Sequence, residues 1–225
     1  MKFLSAVFLF MMLAGCSMGI PEHTLIELNG LNRDSAYRQI DAYNNNVIQK
    51  TQMISSITFD FAGRSMTALG LTALDEKTDS FFVAALDPMG LTLFKLKREN
   101  GKLVSKYVLP QFGPANVDKT ADMINRDIAL VYFNRKINLD KKSIWFEKYR
   151  IRVFVPEGNA DYEYFFGGSP LKLIKKARLE NQHPIWSVDY YDYKTINAKE
   201  IPFKIFFKNY KYGYSINIEI KEIKK

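Results

Sequence analysis

The 225-residue sequence contains a single cysteine, Cys16, and two histidines, His23 and His183. One thiol cannot close an intrachain disulfide, so stability must come from packing. Long apolar runs are also missing. Apart from Phe3 to Leu13 (FLSAVFLFMML), no stretch approaches the roughly 20 apolar residues of a membrane-spanning helix. Neither an internal repeat nor a low-complexity segment is present. Hydrophobic residues at 47% against charged residues at 25% give the balance of an ordinary globular chain.

The apolar run has the length of a signal-peptide core instead, preceded by the cation Lys2. It ends in Leu13-Ala14-Gly15-Cys16, small residues leading into a cysteine, the arrangement of a bacterial lipobox. The residue types suit the chemistry. A thiolate is a strong nucleophile and accepts diacylglycerol as a thioether, while small neighbours admit a peptidase to the bond before it. An ordinary signal peptide or a core strand with an incidental cysteine is the plainer alternative. Against it, the one cysteine stands where lipidation needs it. The expected organisation is therefore a signal peptide over 1–15, a lipidated tether over 16–30 with Gly19, Pro21 and Gly30, and one domain over 31–225. The mature chain then has 225 − 15 = 210 residues. Ser17 in place of aspartate matches the signal for export to the outer membrane, with the domain facing the periplasm. Several acyl chains anchor firmly where one binds only reversibly.

What the chain has in quantity is aromatic side chains, 17 Phe and 13 Tyr, which suit strands and apolar pockets. It also carries a net charge of +8, or +7 once Lys2 is removed. An exported chain does not meet nucleic acid, so the excess serves solubility or attraction to an anionic phospholipid leaflet, worth about 1 kcal/mol per well-placed cation.

From about residue 50 the chain reads as antiparallel strands. Phe81 to Leu86 and Leu91 to Lys97 are strand-like, and Glu99-Asn100-Gly101-Lys102 is a type I′ hairpin signal that returns the chain through Leu103 to Leu109. Val117, Ala121, Ile124, Ile128 and Val131 are spaced as one helical face, with Pro114 as the stop before it and Asn116 as the cap. Strands resume over Tyr149–Val155, Tyr162–Phe166, Leu171–Leu179, Ile185–Tyr191 and Phe203–Phe207. The clearest alternation comes last, Tyr214, Ile216, Ile218 and Ile220 against Ser215, Asn217, Glu219 and Lys221. Residues 31–49 are ambiguous, with a short helix before Asn44-Asn45-Asn46, which reads as a loop. The expected class is α+β with a large antiparallel sheet.

Catalytic side chains are scarce. With Cys16 lipidated, no Cys–His pair and no His/Cys metal cluster can be built, so no enzyme, cofactor or metal is expected. Gly167-Gly168-Ser169 lacks the following helix of a phosphate loop and reads as a turn; Gly63 and Gly70 read as bulges or bends. Asp118, Asp122 and Asp127 read as the wet face of the helix. Lys172, Lys175, Lys176 and Arg178 read as a solvated face, with a lipid-headgroup patch as the functional alternative. Trp186, Tyr190, Tyr191 and Tyr193 read as sheet packing, or as the wall of a cavity for an apolar ligand.

Asp87-Pro88-Met89-Gly90-Leu91-Thr92-Leu93-Phe94, between an apolar strand and a hairpin, resembles the strand–loop–strand of the outer-membrane lipoprotein receptor LolB. That family carries Pro-Leu-Gly there, its leucine projecting towards the membrane; Met89 takes that place here. Trp186 with Val188 and Tyr190, the Tyr193-Lys194-Thr195 turn, Pro202 and the closing strands fit the same pattern, and the helix at 116–134 falls where the family has lid-like helices. The chain is similar over most of 50–225 to the LolA–LolB superfamily, and closer still to LolB-like lipoproteins of which some accompany aryl-polyene biosynthesis genes. The resemblance implies a half-open barrel of roughly eleven antiparallel strands whose helices cover an apolar cavity. It implies Pro88, Met89 and Gly90 as a membrane-contacting loop, and Phe82, Phe94, Trp145, Trp186 and Phe206 as cavity-lining candidates, each otherwise plain core. The implied partners of this monomer are membrane phospholipid, an acyl-chain or lipoprotein cargo and a periplasmic carrier protein. The competing reading is a structural lipoprotein that scaffolds a biosynthesis or export complex, its cavity filled by its own side chains; a hydrolase with polar groups converging in the cavity is a third.

Overall fold

The computed structural model describes residues 23–24, 26–110, 117–139, 143–158 and 160–224. The signal segment, Cys16, Ser17, Gly19, Pro21, Pro114 and Asn116 lie outside the described residues. An N-terminal helix, α1 (Arg33–Asn46), precedes five strands: β1 (Lys50–Phe61), β2 (Arg64–Asp75), β3 (Ser80–Leu86), β4 (Thr92–Glu99) and β5 (Lys102–Val108). Helix α2 (Val117–Tyr132) follows. Seven further strands complete the chain: β6 (Ser143–Phe146), β7 (Arg150–Glu157), β8 (Ala160–Gly167), β9 (Lys172–Glu180), β10 (His183–Ile196), β11 (Lys199–Asn209) and β12 (Tyr214–Lys224).

Among the described residues these make one antiparallel sheet in the order β5-β4-β3-β2-β1-β12-β11-β10-β9-β8-β7-β6, twelve strands where about eleven were expected. Each half is a meander of hairpins, and β1 joins β12 at the centre. The order is linear, so the sheet curves without closing, and its two edges, β5 and β6, are consecutive in sequence. The chain that connects them must travel from one edge to the other. It does so over the concave face, carrying α2 across it.

Short-range chemistry sets the hairpins. Asn100 and Gly101 have φ of 47° and 79°, the left-handed pair that a type I′ turn requires, as their sequence predicts. Ala62 and Gly63 (50° and 75°) make the same turn between β1 and β2, so Gly63 is a hairpin residue and not a bulge. Gly70 faces Ser55 beside the register shift at Ile54/Ser55; a Cβ there would lie 2.5 Å from Ile57 Cδ1, which explains the glycine by close approach. Helix α1 is capped by Asn32, whose side chain accepts from the Ser35 amide at 2.8 Å. It buries Ala36, Ile40 and Tyr43 and extends through Asn44-Asn45-Asn46, where a loop was expected. Tertiary contact overrides propensity there. Asn44 donates to Ile137 O at 2.7 Å and accepts from Ile137 N at 3.1 Å, which holds the last turn of the helix.

The core lies on the concave face, and strand phase decides which aromatics reach it. Phe81, Val83 and Ala85 on β3 point inward, as do Ile205 and Phe207 on β11. Phe82 and Phe206 therefore point to the opposite face, because alternate residues on a strand face opposite sides. Both are half-buried and stand apart from the core cluster. Their neighbours Phe81 and Phe207 take the inward places, and Phe82 lines a surface groove together with Phe81. Trp145 is likewise misplaced as a lining candidate: it lies on edge strand β6, 46% exposed, against Phe154, while Ile144 turns inward. Phe94 and Trp186 are buried in the core.

Phase can be tested by truncation. Phe207→Ala is expected to cost about 3–5 kcal/mol in a denaturant titration, as for a buried aromatic, and Phe206→Ala well under half of that. Equal losses would contradict this assignment of faces.

Candidate functional site

The concave face is the surface from which a site must be built. Its floor is aromatic and aliphatic, with Tyr190, Phe94, Phe166, Phe207, Leu96 and Leu173 among the fully buried side chains. Helix α1 covers the half formed by β9 and β11, and α2 lies against β4 and β5. The underside of α2 is apolar through Ala121, Ile124 and Val131, as its spacing predicts. Two grooves of about 670 Å³ each open on the surface. One passes Thr51, Leu74, Phe81 and Arg98; the other passes His23, Tyr149, Pro170 and Tyr191.

Among the described residues, specific polar contacts attach helix α2 besides its buried apolar face. Its last carbonyls, which no helical amide can reach, receive three donors from elsewhere. Tyr190 Oη donates to Val131 O at 2.9 Å, Arg135 Nε to Tyr132 O at 3.0 Å, and Lys176 Nζ to Phe133 O at 2.5 Å. Arg135 also donates to Ile48 O at 2.7 Å. Cations at a helix C-terminus complement its dipole, which accounts for two buried positive side chains in an apolar interior. Burial lowers the Lys176 ammonium to about 7, with Arg135 adding repulsion and Glu76 partly offsetting it.

Near its middle, α2 is latched to the β11–β12 hairpin. Asp127 is buried and accepts the Tyr214 hydroxyl, with Arg126 beside it. Desolvation raises the Asp127 carboxyl to about 6 although both partners favour its anion. Asp127 was expected on the wet face with Asp118 and Asp122. Those two are exposed, but Asp127 falls on the buried side, where a tyrosine of a distant strand waits for it. At the first turn Asp118 meets Lys106 of β5 at 3.0 Å, an exposed pair of small energetic worth.

The basic cluster on β9 does not form one patch. Lys172 pairs with Glu200 (2.7 Å), Lys175 with Asp189 (3.4 Å) and Arg178 with Glu180 (2.7 Å), whereas Lys176 is inside. A register shift opposite Phe165/Phe166 leaves Ile174 as an extra residue, so Leu173 and Lys176 share the inner face three positions apart. Sequence alternation alone misses Lys176 for that reason. Arg135 was also missed, since nothing local marks the carbonyls it serves.

The loop after β3 behaves as a rigid projection. Asp87 Oδ1 accepts from Met89 N (2.9 Å) and Leu91 N (2.8 Å), and its carbonyl from Gly90 N (2.9 Å). Gly90 has φ of 87°, which closes the turn. Pro88 and Gly90 are exposed, and Met89 is 91% exposed at the tip. The segment preceding α1 is not a free tether where it is described. Leu28 N donates to Lys148 O at 3.0 Å, and Glu27 pairs with Lys148 at 2.7 Å. His23 stacks on Tyr191 at 4.2 Å between centroids, and burial lowers its imidazole to about 4.

Two titrations test the attachments of α2. The unfolded chain binds the Lys176 proton up to pH about 10.4 and the folded chain only to about 7, so stability rises with pH across that window. We expect wild-type stability to climb from pH 7 to about 9.5, by at most about 1.4 kcal/mol per pH unit, and Lys176→Met to flatten the rise. For Asp127 the folded state holds the proton longer, so its contribution is lost as pH climbs through about 6. Asp127→Asn keeps an acceptor for Tyr214 without a buried charge; its Tm should equal or exceed wild type at pH 7, the difference closing by about pH 4.

No curated protein matches the chain. Its fold is similar to that of a LolA superfamily protein from Nitrosomonas europaea, with TM-score 0.52 and 11% identity over 84% of this chain and 92% of that one. An outer-membrane lipoprotein-sorting domain assigned in Vibrio parahaemolyticus gives 0.54 and 11% over 84% and 92%. A DUF1329 family protein from Desulfovibrio piger gives 0.51 and 10% over 85% and 92%. At such identities the likeness establishes the LolA-like fold. The family model described as protein of unknown function (DUF3261) matches residues 52–222, and the chain belongs to that family.

Proposed function

We propose that this protein is a lipid-anchored envelope protein that takes an acyl chain or other hydrophobic lipid between its curved sheet and helix α2, and passes it to the outer membrane through the Met89 loop. The observation that carries the reading is the lid. An apolar concave face is crossed by a helix with an apolar underside, to which polar contacts at its C-terminal end and middle attach it. Opening it would expose aromatic surface, and each buried acyl methylene would contribute about 0.8 kcal/mol. Cargo release then needs no chemistry, and the protein acts by binding and not by catalysis.

Two structural neighbours are named for the LolA superfamily and for outer-membrane lipoprotein sorting, which supports an envelope location. Among the described residues no helix is long and apolar enough to cross a membrane. Attachment rests instead on Cys16, which takes diacylglycerol as a thioether and becomes the first residue once 1–15 are removed, with the domain facing the periplasm. Lipid cargo, which includes polyene lipids, or a lipoprotein arriving on a periplasmic carrier both suit an apolar space opened beneath α2. Met89 is well placed for delivery, since a rigid loop exposes an apolar tip without burying a polar group. The second reading, a scaffold without ligand, is favoured by one observation: the concave face is already occupied by Tyr190, Phe94, Phe166 and Phe207.

Metabolic labelling with an alkyne fatty acid should mark the wild-type chain and leave Cys16→Ser unlabelled; labelling of both would remove the anchor from the proposal. Native mass spectrometry of the exported Cys16→Ser chain is expected to show a lipid adduct. Met89→Glu should still load that lipid but deliver it to liposomes at least about tenfold more slowly, the loss that one charged side chain of about 2.5–3.5 kcal/mol insertion cost allows. A mass that stays lipid-free when lipids are offered would favour the scaffold.

A further inference from the structure

Strand register places three connections at one end of the sheet. The β1–β2 turn at Ala62-Gly63 adjoins the β11–β12 turn at 210–213, because Phe61 pairs with Tyr214. The Asp87–Leu91 loop follows on the same end, since Leu86 pairs with Leu69 on the outgoing limb of that first hairpin. Exposed apolar side chains collect there: Phe61 is 60% exposed, Tyr212 48% and Tyr210 40%, besides Met89. Such a group on a folded surface marks an interaction site.

The cations around the β11–β12 turn identify the partner. Lys208 lies over the Tyr210 ring at 5.0 Å, Lys211 over Tyr212 at 5.8 Å, and Arg126 of α2 over Tyr212 at 5.9 Å. Arg64 is exposed on the adjoining turn, against one exposed carboxylate, Asp60. Tyrosine rings paired with flexible cations suit the boundary between acyl chains and headgroups, where the ring sits at headgroup depth and the cation meets phosphate. We propose that the β11–β12 turn is a second docking element, one that engages an anionic phospholipid surface and loosens helix α2 as it does so.

The coupling follows from which residues the turn shares with the helix. Arg126 and Asp127 are consecutive on α2; one lies over Tyr212 and the other accepts the Tyr214 hydroxyl. The turn itself is stiff. Asn209 Oδ1 accepts from Tyr212 N at 3.0 Å, Asn209 Nδ2 donates to Tyr214 Oη at 3.2 Å, and Gly213 N donates to Asn209 O at 3.0 Å. When phosphate takes Arg126 and the Tyr212 ring enters the interface, the middle of α2 loses the cation–ring part of its lateral hold and is left on the Tyr214–Asp127 hydrogen bond. Its C-terminal end stays fixed by Tyr190 and Lys176, so the loosening is felt from Asp127 towards the earlier turns of the helix. This rests on the lipid-handling reading for its purpose but not for its physics.

The test uses the full exported chain with Cys16→Ser and vesicles of phosphatidylcholine with or without phosphatidylglycerol. Sedimentation is expected to show binding to the anionic vesicles, weakened at least about tenfold in Lys208→Glu/Lys211→Glu, since each lost cation contributes about 1 kcal/mol. Tyr210→Ser/Tyr212→Ser should weaken binding to both vesicle types. Hydrogen exchange of α2 amides should accelerate on anionic vesicles in the wild type and not in the Lys208→Glu/Lys211→Glu variant. These surface changes spare the core, and unchanged exchange in the free variants would confirm an intact fold. Vesicle binding that the hairpin variants leave unchanged, or α2 protection that vesicles leave unchanged, would overturn the inference. Vesicle binding without any lipid adduct would leave it standing and remove the transfer reading instead.

Discussion

Everything in this fold turns on one topological constraint: the two edge strands of an unclosed sheet, β5 and β6, follow each other in the chain. A direct hairpin between them would close a barrel. The connection instead contains a 16-residue helix, and that helix must be laid over the space that closure would have filled. The lid is thus a consequence of connectivity, and its apolar underside is the face that meets the core.

Once the helix is committed to the interior, its C-terminal carbonyls become a problem that the rest of the structure answers. In water they would be hydrated; over an apolar sheet they need donors. Tyr190, Arg135 and Lys176 supply them, from a strand, from the chain just beyond the helix and from a bulged strand. Burying cations is costly, and burial accordingly lowers the Lys176 pKa. The same end of the helix is therefore its firm one. Towards its middle the hold is a single tyrosine–carboxylate contact and a cation over a ring, both shared with a hairpin that reaches the surface.

That asymmetry links the interior to the outside. The hairpin carrying Tyr210 and Tyr212, the β1–β2 turn and the Met89 loop sit at one end of the sheet. The described N-terminal segment packs near the other end, where Lys148 and the Gly168 turn lie, and His23 covers Tyr191 on the sheet's outer surface. The described N-terminal segment and the apolar side chains of the hairpin end thus lie at opposite ends of the sheet.

Much of the fold was legible in the sequence because it is encoded locally. Asn100-Gly101 specifies its hairpin by backbone conformation, the 117–131 spacing specifies a helix, and alternation from Tyr214 specifies a closing strand. The Met89 loop was legible too, through its motif. Tertiary structure alone decided strand phase, which puts Phe81 and Phe207 in the core and turns Phe82 and Phe206 to the opposite face, because one residue of register reverses every side chain. It also decided Lys176, which a bulge at Ile174 turns inward, and Asp127, whose partner lies 87 residues away. By itself the sequence determined the elements and the loop that projects; where buried charge sits was settled only when distant strands met, since the partners of a buried charge are not its neighbours in the chain.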